Sequence, residues 1–179
     1  MTHPVHAVEG VVVPGWERDQ AVSQWLLCAA TDRQTARREW AEFGVTALGC
    51  GLFSAVRLDG DLVHVAAGST EPAAVEGFLR DTVHGPVFGD RHQRAYFLLA
   101  PASMAREARM HDRATGTAVL GRGSWVVVPR PGLTVGSPGP AWWWVPMPGP
   151  GSLCDPADVS QLVAYGQARI LQGRGQHER

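Results

Sequence analysis

A chain of 179 residues, 45% hydrophobic and 18% charged, can bury a core of its own and is too apolar to stay disordered, so it reads as one globular domain. Its 16 basic and 17 acidic residues leave a net charge of −1, without the basic surplus of a non-specific nucleic-acid binder. No apolar run approaches the roughly 20 residues of a membrane span, and the first residues lack the charge and apolar stretch of a secretion signal, so the expected setting is soluble and cytoplasmic, with no membrane partner.

Residues 1–15 are rich in Pro, Gly and Val and read as an arm. Over residues 16–30, Val22, Trp25, Leu26 and Ala29 recur at helical spacing. Thr31-Asp32-Arg33-Gln34 has the form of a capping box, which starts a second helix with Ala36, Trp40 and Phe43 on its apolar face and Gly44 as its stop. Two β-like runs follow at 45–48 and 53–58, and Asp59-Gly60-Asp61 ends the second. Thr70 is the expected cap of a helix that turns Ala74, Val75, Phe78 and Leu79 inward, with Glu76 and Arg80 as a solvent-side pair. Strands are expected at 86–88 and 94–100, around a polar turn at 89–93. Residues 101–115 read as irregular or weakly helical.

Strands at 117–120 and 124–129 flank Gly121-Arg122-Gly123, which suggests a hairpin. A Pro/Gly-rich loop at 130–140 precedes the run Trp142-Trp143-Trp144-Val145, which Pro140 and Pro146 bracket as an edge or near-edge strand. Asp155 caps a last helix with Pro156 in its first turn and Val159, Leu162, Val163 and Ile170 facing inward. The tail from 173 to 179 reads as disordered. The pattern predicts a single α+β (mixed α/β) domain over 16–172, an open and largely antiparallel sheet with flanking helices.

Few residues form a chemical pattern. Cys28, Cys50 and Cys154 are odd in number and hold no Cys-x-x-Cys pair, so they read as small apolar side chains in a reducing compartment. All the basic residues are arginine and there is no Lys or Asn. That bias fits a GC-rich coding sequence and is not itself a sign of phosphate recognition. Asp59 and Asp61 share one face if the strand continues, and two carboxylates at a strand end can hold Mg²⁺. The same Leu-Asp-Gly-Asp-Leu also suits a tight turn. Among His3, His6, His64, His84, His92, His111 and His177 only His3-x-x-His6 has ligand-like spacing, in the arm; His92, ahead of a strand, is the other histidine of interest. Ser54, Ser103 and Ser124 lack a nucleophile-elbow context. The amides of Gly121-Arg122-Gly123 can cradle an anion, or simply turn the chain. Strand alternation sends Trp142 and Trp144 to one face and Trp143 to the other, so one face is expected in the core and the other is a candidate partner surface.

From Trp40 to Pro146 the order of landmarks resembles the N-terminal domain of bifunctional DNA primase/polymerases, of the archaeo-eukaryotic primase superfamily, in a degenerate form like the small stand-alone actinobacterial chains. Residues 44–50 resemble the segment before the first acidic strand, residues 53–61 that strand with Asp59 and Asp61 at its Asp-x-Asp, and Arg94-Ala95-Tyr96-Phe97 the strand of the nucleotide-binding histidine. Residues 124–131 resemble the late valine–proline signature, and residues 142–145 the aromatic strand that follows it. Arg94 stands where that family has its histidine, and Ala118 about where it has a third acidic ligand.

The resemblance therefore implies a non-catalytic primase/polymerase-like domain that binds nucleic acid, a nucleotide or a partner protein. Arg57, His92, Arg94 and Arg122 are its expected contacts to nucleotide or nucleic acid, and no cofactor or a weakly held Mg²⁺ is expected. A divergent Mg²⁺-dependent nucleotidyltransferase using Asp59 and Asp61 is one alternative. A protein-interaction module using Trp142, Trp143 and Trp144 is the other.

Overall fold

A computed structural model of the chain describes residues 15–106 and 116–177, with side chains as far as residue 173. The arm up to residue 14, with His3 and His6, and residues 107–115, with His111, lie outside the described residues, as does the His177 side chain. The elements run α1 (Gly15–Leu26), α2 (Arg33–Phe43), β1 (Val45–Gly49), β2 (Phe53–Asp59), α3 (Gly60–Ala67), α4 (Pro72–Val83), β3 (Val87–Asp90), β4 (Ala95–Pro101), β5 (Thr117–Leu120), β6 (Trp125–Pro129), β7 (Ala141–Val145) and α5 (Pro156–His177). Two short 3₁₀ turns, Leu27–Ala29 and Ala102–Arg106, follow α1 and β4.

The fold is α+β, as the pattern predicts, but its strands form two antiparallel sheets rather than one. The larger has the order β5-β2-β4-β3-β7, and β1 pairs with β6 alone. The expected hairpin across Gly121-Arg122-Gly123 is therefore corrected: β5 joins β2, and β6 crosses to β1, with Leu48 opposite Val126. A glycine-rich turn fits a hairpin locally, but both strands gain more by pairing with longer-range partners that bury their apolar sides.

Alternation along the central strands divides the core in two. Val56, Leu58, Val87, Leu98 and Trp144 pack with α3, α4 and α5. Ala55, Phe88, Leu99 and Trp143 pack with α1, α2, β1 and β6. Trp143 and Trp144 are 2% and 0% exposed. Both faces of β7 are core, and the partner surface expected at Trp142–Trp144 is withdrawn: the sheet has cover on both sides, so alternation carries the tryptophans from one core to the other. Trp142 is half-buried against the helix-side core. As the two prolines suggest, β7 lies at a sheet edge, with a single parallel bridge from Thr134 to Trp143 outside it.

Helix starts follow their side chains. Asp32, not Thr31, caps α2: its carboxylate accepts the Gln34 N–H at 2.9 Å and the Thr35 hydroxyl at 2.6 Å. These bonds, the Thr35 one above all, hold the Asp32 carboxyl below its ordinary pKa. Gly44 closes that helix at φ +74°, a left-handed position that glycine enters without strain. Phe43, expected inward, is 57% exposed, because the apolar stripe ends at Trp40, whose indole N–H donates to the Val128 carbonyl at 3.0 Å. The helix expected from Thr70 starts at Pro72, with Glu71 at the cap position and the Glu71 N–H bonded to Ser69 Oγ. Glu76 and Arg80 form the expected pair. Asp155 accepts the Ala157 N–H at 2.7 Å at the start of α5, which runs to His177 where a tail was expected from 173.

Candidate functional site

Asp59-Gly60-Asp61 is neither a hairpin turn nor the end of a strand with both acids on one face. It is a strand-to-helix junction. Asp59 is the last residue of β2, and Asp61 lies exposed in the first turn of α3. Gly60 is needed there: a Cβ would meet the Gln93 carbonyl oxygen at 2.0 Å, because the β3–β4 turn crosses directly over it. Strand alternation instead puts Asp59 on one face with Arg57. The Arg57 Nη1 lies 2.7 Å from Asp59 Oδ1, and both side chains are about two-fifths exposed, at 39% and 43%.

Arg57 of this pair lines a cleft of about 490 Å³ between the two sheets, together with Phe88, Asp90, Phe97, Trp125 and Val127 among others. Arg57 sits opposite Phe97 on β4, and Phe97 opposite Phe88 on β3. The two phenyl rings stack at 5.2 Å with 11° between planes, and Trp143 meets Phe88 edge-on from the core side. On β6, Val126 and Val128 point into the core, so Trp125 and Val127 point the other way and stay 56% and 55% exposed. The result is an apolar cleft lined by Phe97 from the larger sheet and by Trp125 and Val127 from β6, with one ion pair near its edge.

Asp90 stands at the rim, but its carboxylate is occupied. It accepts the backbone N–H of His92 at 2.8 Å, of Arg94 at 3.1 Å and of Ala95 at 2.8 Å, which shapes the β3–β4 turn. His92 and Arg94 are exposed on that turn. Beneath it the Tyr96 hydroxyl donates to Gln93 Oε1 at 3.2 Å and lies 3.1 Å from His64 Nε2. Burial, with a smaller contribution from the Asp90 charge, raises the Tyr96 pKa well above its ordinary value. His84 lies away from these groups, 3.1 Å from Asp158 at the start of α5.

The residues expected to act together are thus dispersed. Arg57 and Asp59 meet beside the cleft, His92 and Arg94 hold the neighbouring turn, and Arg122 lines a separate pocket with Arg106. Among the described residues, no group of three His, Cys, Asp or Glu side chains gathers where a metal ion could be held. Asp59 faces a guanidinium and Asp61 lies on the helix that follows, so this pair does not fit the donor set that two-metal phosphoryl transfer needs. The three cysteines are free, and Cys28 alone is exposed.

Sequence reasoning missed Phe88, Phe97, Val127 and above all Trp125 as cleft residues. The sequence shows only that Trp125 and Val127 share one face of the strand and Val126 and Val128 the other, and an all-apolar strand can be buried on both faces, as β7 is. The chain matches no family model, and no curated protein or solved structure matches it significantly. No helix among the described residues is long and apolar enough to cross a membrane.

Proposed function

We propose that the chain is a non-catalytic primase/polymerase-like domain whose inter-sheet cleft takes a nucleobase, carried by a nucleotide or by an unpaired strand. The observation that carries this reading is the apolar cleft lined by Phe97, Trp125 and Val127, with Arg57 on its wall. Its volume of about 490 Å³ falls in the range of small-ligand sites. A flat ring enclosed by aromatic side chains gains about 1–3 kcal/mol of stacking per base, and does so without sequence preference. Arg57 can donate to an exocyclic carbonyl oxygen or a ring nitrogen while Asp59 balances its charge, so recognition falls on the base and not on phosphates. The resemblance from Trp40 to Pro146, with Arg94 and Ala118 in place of two active-site groups, supports binding without catalysis.

Titration of nucleosides, nucleoside monophosphates and a short oligothymidine against tryptophan fluorescence tests the proposal. The expected result is saturable quenching that varies little with salt, persists in Trp125→Phe and is lost in Trp125→Ala. Tighter binding of the oligomer than of the monomer would identify a single strand as the source of the base. An absence of saturable binding for all three, in a wild-type protein that melts cooperatively, overturns the reading.

A further inference from the structure

A second concavity lies at the β5 end of the larger sheet, about 410 Å³ in volume, lined by Gly51, Ser54, Arg106, Gly121 and Arg122 among others. Its two arginines come from different elements. Arg106 ends the 3₁₀ turn that follows β4, and Arg122 sits in the turn between β5 and β6. That turn is closed by the Ser124 N–H on the Gly121 carbonyl at 2.9 Å, with Gly123 at φ +89°, a backbone position suited to glycine.

The two segments approach closely only because residue 121 is glycine: a Cβ there would meet the Ala105 Cβ at 2.4 Å. This contact sets Arg106, the next residue after Ala105, beside the Arg122 turn. Neither guanidinium has an ion-pair partner among the described residues, and no carboxylate is among the described residues that line the pocket.

We propose that this pocket binds a phosphate-class oxyanion, held between the Arg106 and Arg122 guanidinium groups. Two guanidinium groups lining one concavity give it a local positive potential that favours an anion, even in a chain of net charge −1. Guanidinium forks match tetrahedral oxyanions in geometry, each offering two parallel N–H donors. The cleft, by contrast, pairs its arginine internally with Asp59 and surrounds it with apolar rings. The oxyanion site therefore stands or falls separately from nucleobase binding. The pocket has room for a phosphate together with a small group that carries it.

The test follows the arginine Nε–H resonances of the full chain as inorganic phosphate is added at constant ionic strength, with chloride as the replaced anion. The expected result is saturable shifts at Arg106 and Arg122 and none at Arg57. Affinity should fall about tenfold or more in Arg106→Gln and in Arg122→Gln, and Trp125→Ala should bind phosphate as the wild type does. A glucose phosphate that binds as well as or better than phosphate itself would identify an organic carrier. Its exclusion would identify the free ion. Shifts that drift linearly without saturation, or that are unchanged in the Arg106→Gln/Arg122→Gln double variant, overturn the proposal. Both substitutions are at exposed side chains, so cooperative melting near the wild-type temperature confirms that a loss of binding is not a loss of fold.

Discussion

The two faces of the five-stranded sheet are built from the same strands and end differently. One face is covered by α3, α4 and α5, with the Trp144 and Tyr96 rings 5.2 Å apart and tilted by 52° in its interior. The other is covered only in part: α1, α2 and the small β1–β6 sheet close over Ala55, Phe88, Leu99 and Trp143, then leave Arg57 and Phe97 lining an open cleft. The lesson is that an aromatic side chain acquires its role from what stands over it. Trp144 is a packing residue because helices cover it, and Trp125 is a cleft residue because β6 turns it toward a gap.

The largest expected effect divides these tryptophans. Trp144→Ala and Trp143→Ala each empty a fully packed site and should cost about 3–5 kcal/mol, which is roughly 6–20 °C in Tm for a domain of this size. Trp125→Ala removes a side chain that is 56% exposed and should stay within about 1 kcal/mol. Denaturant melts of the three variants check the contrast. A loss at Trp125 as large as that at Trp144 would mean that β6 is held against the sheet by that ring, and the open cleft would not be the resting state.

Buried groups on the helix-covered face should also make the fold sensitive to alkali. Burial raises the Cys154 thiol from its ordinary 9.0 to about 12, and it raises the Tyr96 hydroxyl as well. The unfolded chain loses these protons at lower pH than the folded one does. Their contribution to stability is therefore intact below pH 9 and is lost as pH rises toward 12. While one such group is ionised only in the unfolded state, the slope is about 1.4 kcal/mol per pH unit. Melts from pH 8 to 11 should show the decline, and Cys154→Ala should flatten it. A slope unaltered in Cys154→Ala would mean that the thiol ionises without unfolding. The exposed Cys28 supplies a control, since it should react with iodoacetamide in the native protein while Cys154 does not.

How much of this was legible depended on whether the deciding contacts were local. Apolar residues three and four apart marked α1, α2, α4 and α5, and most of their buried positions agree: Val22, Leu26, Ala36, Trp40, Val75, Leu79, Val159 and Leu162. The strands at 45–48 and 53–58 also stand nearly where alternation and glycines put them. α3 was missed because Asp-Gly-Asp favours a turn and because Val63 and Val65 are poor local helix formers. It forms through distant packing, where Gly166 of α5 admits Leu62 so closely that a Cβ would lie 2.6 Å from it. The site was harder to read than the fold. Arg57 and Asp59 were both noticed, but their pairing depended on the strand ending at Asp59, and the cleft depended on β6 leaving β5 to join β1. Asp59-Gly60-Asp61 marks the first event locally, but the second has no signature within ten residues of itself.

The smallest expected effect on stability comes from the pair at the cleft edge, and it has the sharpest consequence for binding. Arg57 and Asp59 are each about two-fifths exposed, so water screens their attraction, and breaking the pair should cost less than about 1 kcal/mol. Asp59→Asn keeps the side-chain shape and removes the charge that balances Arg57. The cleft then gains a free positive charge among apolar rings, where attraction to an anion is stronger than in water. A nucleoside monophosphate should bind more tightly to Asp59→Asn than to the wild type, and that gain should fade as salt rises. A neutral nucleoside should be nearly indifferent to the substitution. Arg57→Gln should remove the gain in the double variant, because no guanidinium is then left unbalanced. Gly116→Ala should act in the same direction as Asp59→Asn. Gly116 has φ +73°, and a Cβ there would meet Asp59 Oδ2 at 2.1 Å, forcing the carboxylate off Arg57. Should Asp59→Asn weaken the monophosphate and the nucleoside equally, Asp59 would be a direct contact to the base, and the Arg57–Asp59 pair would have to be read as two ligand-binding groups instead of one balanced by the other.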